Sequence, residues 1–282
     1  MAAREARVTG LRGRARRLGL GLATLAGRPR GFFSPYRYAA TVAPPGPYPA
    51  IEAALRAAQP AFAGVLHEIE AHAPRLAGFD GPPPEPRWAQ SWFPRLDGAA
   101  AYVLARRARR IVEVGSGHST RFLARAARDV GRGTRITCID PAPRAALEGL
   151  EVDWRARVLG PEDVGLFEAL GEDDVAFFDS SHLLWPGSDV DTMLNRILPV
   201  LRAGVLVHVH DVTLPDPYPA GWAWRGYTEQ HALAGWFLGG AYEPVFASHY
   251  AVSRMGAARR PDVADLPLVA GAVETSLWLR RS

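Results

Sequence analysis

The chain has 282 residues, 48% hydrophobic and 22% charged, which are ordinary values for a globular protein with a full core. The formal net charge is only +4, and every basic residue is arginine, so no lysine can serve as a base or a phosphate ligand. No apolar run is long enough to span a membrane. The single cysteine, Cys138, excludes internal disulfides, and a lone thiol favours a cytoplasmic location.

Residues 1–96 read as an extension ahead of the main domain. Residues 1–48 are Arg-rich and then rich in proline and glycine, which predicts an irregular arm. A basic arm can bind nucleic acid or an acidic membrane, but a solvated basic helix is the more common case, and we expect no nucleic-acid partner. Residues 51–72 have the apolar spacing of a helix, interrupted at Pro60.

The strongest local pattern lies in residues 110–140. A buried strand is predicted at 110–114, followed by a turn at Gly115–Gly117, a helix, and a second strand at 135–139 that ends on Asp140. This is the βαβ arrangement of nucleotide-binding folds. The glycines let a ligand approach the backbone, and the acid can accept hydrogen bonds from both hydroxyls of a ribose.

Two residues in this stretch distinguish between nucleotides. Thr120 stands where a dinucleotide fingerprint has its third glycine, and Glu113 suits an amine-bearing ligand better than a pyrophosphate. The run resembles the E-x-G-x-G signature of class I S-adenosylmethionine-dependent methyltransferases, in which the glycine turn lies against the amino-acid part of the cofactor. The resemblance implies these cofactor-binding residues: Glu113, Gly115, Ser116, Gly117, Ser119, Thr120, Asp140 and Asp179.

After Asp140 the predicted elements alternate. Strands are expected at 155–159, 175–178 and 205–209, helices at 161–170, 189–201 and 229–238, and closing strands at 244–252 and 275–279. Helices between strands imply a parallel sheet with helices on both faces. The resemblance implies that the last two strands form an antiparallel pair. We therefore expect an α/β, Rossmann-like, seven-stranded methyltransferase sheet in residues 97–282, with Asp97 opening its first helix and a helical or irregular extension in 1–96.

Polar side chains follow the fourth and fifth predicted strands. Asp179 ends the fourth strand with His182 three residues later, and His210 and Asp211 end the fifth. Carboxylates and imidazoles suit a divalent metal, and a hydrogen-bonded network joining two loops is the equally weighted alternative. His182 has an ordinary pKa that suits a general base. His208 lies deeper on the same strand face and reads as a core residue.

The segment VAFFDSSH…LPVLRAGVLVHVHDV is similar to the metal-dependent small-molecule O-methyltransferases of the catechol type. Asp179 matches that family's first acid, His210 and Asp211 match its acid–amide pair, and His182 stands where it has a lysine. A closer likeness is to a bacterial branch that includes sugar O-methyltransferases. These resemblances imply O-methylation of a small-molecule or sugar hydroxyl. They also imply His182 as the catalytic residue and Mg²⁺ or a similar ion at Asp179, His210 and Asp211.

The segment 213–230 follows the fifth strand and is rich in proline and aromatic residues. Tyr218, Trp222 and Tyr227 are expected to form a wall over the substrate, with a hydrophobic plug as the alternative. Two other functions stay open at this point. One is a nicotinamide-dependent oxidoreductase, which Thr120 disfavours. The other is a non-catalytic Rossmann-like protein that binds through its Arg-rich arm. A homo-oligomer is compatible with the sequence.

Overall fold

The computed structural model describes residues 2–28, 30 and 36–282, with side chains described from residue 11 onwards in its first helix. Residues 1, 29 and 31–35 of the predicted arm lie outside the described residues. The strands are β1 (Arg110–Val114), β2 (Arg135–Ile139), β3 (Asp153–Arg155), β4 (Val175–Phe178), β5 (Leu206–Val209), β6 (Tyr242–Ala247) and β7 (Leu277–Arg281). They form one seven-stranded sheet in the order β3-β2-β1-β4-β5-β7-β6.

Strands β1 to β5 pair in parallel, and β7 runs antiparallel to both β5 and β6. The predicted α/β sheet and its antiparallel closing pair are therefore confirmed. The helices are α1 (Ala2–Leu25), α2 (Pro49–Ala57), α3 (Gln59–Ala71), α4 (Ala73–Leu76), α5 (Arg95–Ala105), α6 (His118–Val130), α7 (Val164–Glu168), α8 (Asp189–Thr192), α9 (Gln230–Leu238), α10 (Ser248–Met255) and α11 (Pro261–Ala264). None of the helices described here is long and apolar enough to cross a membrane.

Several predicted boundaries are wrong. The third strand ends at Arg155 instead of beginning there. The helix predicted at 189–201 changes after Thr192 to a π turn and then a 3₁₀ turn, where Pro199 has no N–H to continue an α-helix. The strand predicted at 244–252 ends at Ala247 because its partner β7 begins opposite at Leu277, and helix α10 follows. Residues 248–252 thus have no strand to pair with.

The basic N-terminal segment contains a long helix, as the basic-helix interpretation of its arginines implies, and is not irregular throughout. Helix α1 lies against a 3₁₀ segment at 220–225. Its Gly13 faces Trp224 so closely that a Cβ there would be 2.9 Å from the ring. The guanidinium of Arg17 donates a hydrogen bond to the carbonyl oxygen of Ala223 at 3.2 Å. The N-terminal segment therefore covers the loop that follows β5.

Helices of the predicted extension share a hydrophobic core with the sheet. Phe62 of α3 is fully buried, and its ring lies 6.0 Å from that of Phe246 and 5.8 Å from that of Tyr250. Trp88, just ahead of α5, is also buried, with its ring 4.9 Å from that of Phe122 in α6. Aromatic residues before the first strand thus act largely as core side chains.

The carboxyl ends of β1 and β4 meet at Gly115. The backbone N–H of Asp179 donates to the carbonyl oxygen of Val114 at 2.8 Å. Gly115 has a φ of +80°, and a Cβ on it would lie 1.8 Å from the carbonyl oxygen of Asp179. Only glycine allows this approach, so the turn after β1 is fixed by the neighbouring strand as much as by any ligand.

We expect Gly115→Ala to lower the free energy of unfolding by more than about 3 kcal/mol, beyond the usual range for point substitutions, because the added methyl group must displace main chain. Gly131→Ala is the matched control. Gly131 also has a positive φ, +68°, but has open space around the Cβ position, so a loss of about 1 kcal/mol is expected from backbone strain alone. Urea denaturation compares the two, and equal losses would contradict the steric argument.

Candidate functional site

The carboxylate of Glu113 supports the glycine turn through hydrogen bonds to side chains that follow the turn. One carboxylate oxygen of Glu113 accepts a hydrogen bond from Ser119 Oγ at 2.6 Å, and the other accepts from Thr120 Oγ1 at 2.7 Å. Thr120 Oγ1 in turn accepts from the backbone N–H of Gly117 at 2.8 Å. Burial raises the pKa of Glu113 to about 7, although these hydroxyl donors lower it in part. In this structure, the side chains of Glu113, Ser119 and Thr120 join strand β1 to helix α6.

Asp140 lies at the end of β2, beside the turn, and is partly exposed. Each of its carboxylate oxygens accepts one backbone hydrogen bond, from Ser116 at 2.6 Å and from Ala142 at 2.7 Å. A carboxylate has about four acceptor positions, so each oxygen keeps one for another donor. The sequence predicted Ser116, Gly117 and Asp140 together, and the structure places them together.

The ends of β4 and β5 bring His182 between three carboxylates. Its Nδ1 lies 2.8 Å from a carboxylate oxygen of Glu229, and its Nε2 lies 3.2 Å from Asp179 and 3.5 Å from Asp211. Both His182 and Asp211 have positive φ values, 59° and 55°, which are uncommon for residues other than glycine. Backbone conformations of this kind cluster at functional sites.

A second imidazole completes the cluster. His210 is buried with its Nδ1 3.5 Å from Asp179 and 3.7 Å from Asp211, and its Nε2 3.3 Å from Asp97. Asp97 does not open its helix as predicted. It lies inside the first turn of α5, fully buried, where it accepts hydrogen bonds from the backbone N–H groups of Thr275 at 3.0 Å and of Ser276 at 3.0 Å.

The carboxylates raise the pKa of both imidazoles, which favours their protonated forms. Burial alone would lower the pKa of His182, but its contacts with Asp179 and Glu229 outweigh burial and hold the pKa well above its usual range. Burial is likewise overcome at His210, where Asp179 and Asp97 raise the pKa to about 10. Burial would raise the pKa of Asp179, yet the two imidazoles hold it well below its usual range. A protonated His182 cannot accept a proton, which argues against it as the free base.

The same contacts bear on the predicted metal site. Each ring nitrogen of His182 and His210 faces a carboxylate, which is the geometry of a hydrogen-bonded network. Among the described residues, no group of three or more His, Cys, Asp or Glu side chains is arranged to hold a metal ion. The arrangement fits the hydrogen-bonded network better than the ion site. Metal binding at Asp179, His210 and Asp211 stays a prediction.

The aromatic segment after β5 lies beside this cluster. The ring of Tyr227 is 4.6 Å from that of His182, and Tyr218 and Trp222 lie 5.8 Å and 6.2 Å from Tyr227. Arg225 donates to Asp211 at 3.1 Å and to the Tyr227 hydroxyl at 3.2 Å. The predicted wall residues are therefore close to the predicted polar residues.

The sequence analysis missed three residues of the cluster, and it correctly assigned His208 to the core. His208 is fully buried, its ring stacked 3.7 Å from that of Phe177, which confirms it as a core residue. Asp97, Glu229 and Arg225 were not predicted. Asp97 was interpreted as the residue that begins a helix. No local sequence pattern marks Glu229, because its partner His182 lies 47 residues earlier.

Residues 112–212, which include the glycine turn and both polar strand ends, match the family model described as methyltransferase domain. This segment is a methyltransferase domain. No protein with a curated description matches the chain. Within the methyltransferase domain lie the turn at Gly115, Asp140 and the cluster from Asp179 to Asp211, whereas Asp97 and Glu229 come from flanking residues.

Solved structures give more distant likenesses. Cofactor-bound Rv0187 from MTB is 18% identical over 79% of this chain and 89% of that chain, with a TM-score of 0.43. The O-methyltransferase TomG from Streptomyces achromogenes, in complex with SAM, is 21% identical over 77% and 89%, with a TM-score of 0.40. The O-methyltransferase from Bacillus cereus, in complex with SAH, is 20% identical over 54% and 67%, with a TM-score of 0.33. At such values the strand order, not these alignments, defines the fold.

The cluster predicts a pH dependence of stability. Because the folded-state pKa of His210, about 10, exceeds the ordinary value of about 6.5, its contribution is fully present below about pH 6.5 and is lost as the pH rises through about 10. We expect His210→Gln to destabilise the protein more at pH 6 than near pH 10, as measured by urea denaturation at each pH. His67→Gln, whose imidazole is 82% exposed, should show no such dependence. A loss for His210→Gln that is independent of pH would contradict this.

Proposed function

We propose that the protein is an S-adenosylmethionine-dependent methyltransferase that methylates a hydroxyl of a small molecule, such as a sugar or a phenol. The observation that carries the proposal is Asp140, which lies in the matched domain at the end of β2 and is oriented by two backbone N–H groups. The O-methyltransferases named above, crystallised with SAM or SAH, support the same chemistry. We assign catalysis to residues 97–282, with 1–96 as a cover.

The cofactor side of the site fits this proposal. The free acceptor positions of Asp140, one on each oxygen, suit the two hydroxyls of a ribose. The Ser116–Gly117 turn lies directly beside it and would contact the amino-acid part of the cofactor. Glu113, Ser119 and Thr120 would support the turn without contacting the cofactor, because their side chains hydrogen-bond to one another. S-adenosylmethionine supplies a methyl group on a sulfonium, which is already an activated leaving group.

On the acceptor side, the charges of the cluster suit a cationic cofactor. Four carboxylates, from Asp97, Asp179, Asp211 and Glu229, face two imidazoles and one guanidinium within 3.7 Å. Counted with both imidazoles protonated, the formal charges leave one negative charge in excess. This excess would favour a sulfonium nearby and would stabilise the developing positive charge on a hydroxyl that accepts a methyl group.

The proposed proton acceptor is a carboxylate. Asp179 is the more exposed candidate, with a quarter of its side chain accessible, and Asp211 faces the same ring nitrogen of His182, Nε2. A weak base is sufficient, because a hydroxyl oxygen becomes strongly acidic as its bond to the methyl carbon forms. His182, fixed by Glu229, would hold both carboxylates in place and, with His210, would keep Asp179 ionised. Tyr218, Trp222 and Tyr227 would form the wall against which an acceptor ring is aligned.

We also place the reaction in the cytoplasm, because the free, buried Cys138 fits a reducing compartment. The acceptor is a small molecule in this proposal, and nucleic acid is not part of it.

The cofactor assignment is tested by calorimetry with S-adenosylhomocysteine. We expect wild-type protein to bind it and Asp140→Ala to weaken binding at least about tenfold, because two hydrogen bonds to a charged acceptor are lost. Asp153→Ala is the control, since Asp153 begins the adjacent strand β3 with 61% of its side chain exposed. Absence of binding to the wild type, or binding unaffected by Asp140→Ala, would refute the assignment.

The acceptor chemistry is tested with S-adenosylmethionine and a panel of sugar and phenol acceptors, with methylated products detected by mass spectrometry. We expect Asp179→Asn to lower kcat about a hundredfold or more, as for loss of a general base, while the exposed Asp265→Asn does not. A chelator in the same assay tests the metal prediction. Activity that survives both the chelator and Asp211→Ala would remove the metal, and full activity of Asp179→Asn would remove the proposed base.

A further inference from the structure

Arg121 in the first turns of α6 is buried, and Arg87 and His118 beside it are partly buried; each has a buried polar atom without a hydrogen-bond partner. Arg121 is only 2% exposed, and one of its terminal nitrogens donates to the carbonyl oxygen of Ala146 at 2.9 Å. Its Nε and its other terminal nitrogen have no hydrogen-bond partner among the described residues, and the same is true of His118 Nδ1 and Arg87 Nε. Buried donors without acceptors are costly and rare in proteins, so this group needs an explanation.

The three side chains are close enough to repel one another. Burial, followed by the charges of Arg121 and Arg87, lowers the pKa of His118 to about 4. Burial and the charge of Arg87 also lower the pKa of Arg121. Arg125, one turn further along α6, is the opposite case, because it pairs with Glu85 and Asp129, each at 2.9 Å. Packing on this helix therefore provides carboxylate partners for Arg125, whereas Arg121 has one carbonyl acceptor and two nitrogens without partners.

The cluster is continuous with the glycine turn. The backbone N–H of Arg144 donates to the carbonyl oxygen of Ser116 at 3.3 Å, and the backbone nitrogen of Ala145 would lie 3.3 Å from a Cβ on Gly117. The next residue of this loop, Ala146, holds Arg121. The loop after Asp140 thus connects the turn to the cluster, and the N-terminus of α6 adds its partial positive charge there.

A further cation, Arg144, lies on the loop that connects the turn to the cluster. The guanidinium of Arg144 lies 4.2 Å over the ring of Trp92, and that ring is half exposed. Arg144 is exposed, so its charge adds to the positive potential on this side of the turn.

We propose that Arg121, with Arg87 and His118, forms a binding site for one carboxylate or phosphate group next to the glycine turn. A guanidinium can bind either group through two parallel hydrogen bonds. The anion can come from two sources, the α-carboxylate of the cofactor or an acidic group on a separate small molecule. The first source rests on the function proposed above, and the second does not.

Calorimetry distinguishes the sources with two probes, S-adenosylhomocysteine and 5′-methylthioadenosine, which lacks the amino-acid part. If the cofactor supplies the anion, Arg121→Met weakens S-adenosylhomocysteine binding at least about tenfold and leaves methylthioadenosine binding unchanged, because only the former has a carboxylate to lose. Arg125→Met, the paired arginine of the same helix, is the matched control and should leave both affinities unchanged.

Inorganic phosphate tests the second source by thermal denaturation. A phosphate-dependent rise in Tm for the wild type that is absent in Arg121→Met, with cofactor affinity unchanged, assigns the site to a separate anion. The same S-adenosylhomocysteine affinity and the same phosphate response in both proteins would overturn the proposal. If the wild type binds no S-adenosylhomocysteine, the proposed function fails, and the phosphate measurement alone decides the anion site.

A second pair of variants tests the proposal in case Arg121→Met does not fold. Arg87→Gln changes a side chain at the half-buried edge of the cluster and should weaken the same probe in the same direction. Arg121→Lys keeps the charge but loses the paired donors, so its affinity should fall between those of the wild type and Arg121→Met. Unchanged binding in both variants would overturn the proposal even if Arg121→Met does not fold.

Discussion

The buried carboxylate of Asp97 is the contact on which the acceptor side of the molecule depends. From the first turn of α5, it accepts hydrogen bonds from the backbone where the chain enters β7 and from Ser248 where α10 begins. It also faces His210, which in turn faces Asp179 at the end of β4. One charge thus joins two helices and three strands. Removing either partner of such a pair leaves the other charge buried without compensation, which is strongly destabilising.

The rest of the site repeats this alternation of acid and imidazole. Glu229, His182, Asp179, His210 and Asp97 form an unbroken series of facing groups, with separations of 2.8 to 3.5 Å. Burial opposes the charges of His182, Asp179 and His210, and neighbours of opposite sign outweigh burial at these three groups. Under the proposed function, reactivity and stability therefore depend on the same contacts.

The sequence predicted the sheet well because parallel strands buried on both faces appear as continuous apolar runs between turn residues. The same rule placed Asp179, His210 and Asp211 at one sheet edge. It could not reveal the contact between Asp97 and His210, which are 113 residues apart. Glu113 shows a different limit. An acid before a glycine turn suggested a ligand contact, but hydroxyl groups six and seven residues later occupy it.

The position of α1 has a consequence for how this protein can diversify. The helix contacts the 220–225 segment through Gly13 and Arg17. This segment contains Trp222 and ends at Arg225, and Tyr227 follows it beside the cluster. The proposed cofactor turn lies on the opposite half of the sheet, around β1 and β2. Under the proposed function, substitutions in α1 can therefore reshape the acceptor wall while the cofactor half keeps its sequence. Acceptor choice and cofactor binding would then be separable properties of one continuous core.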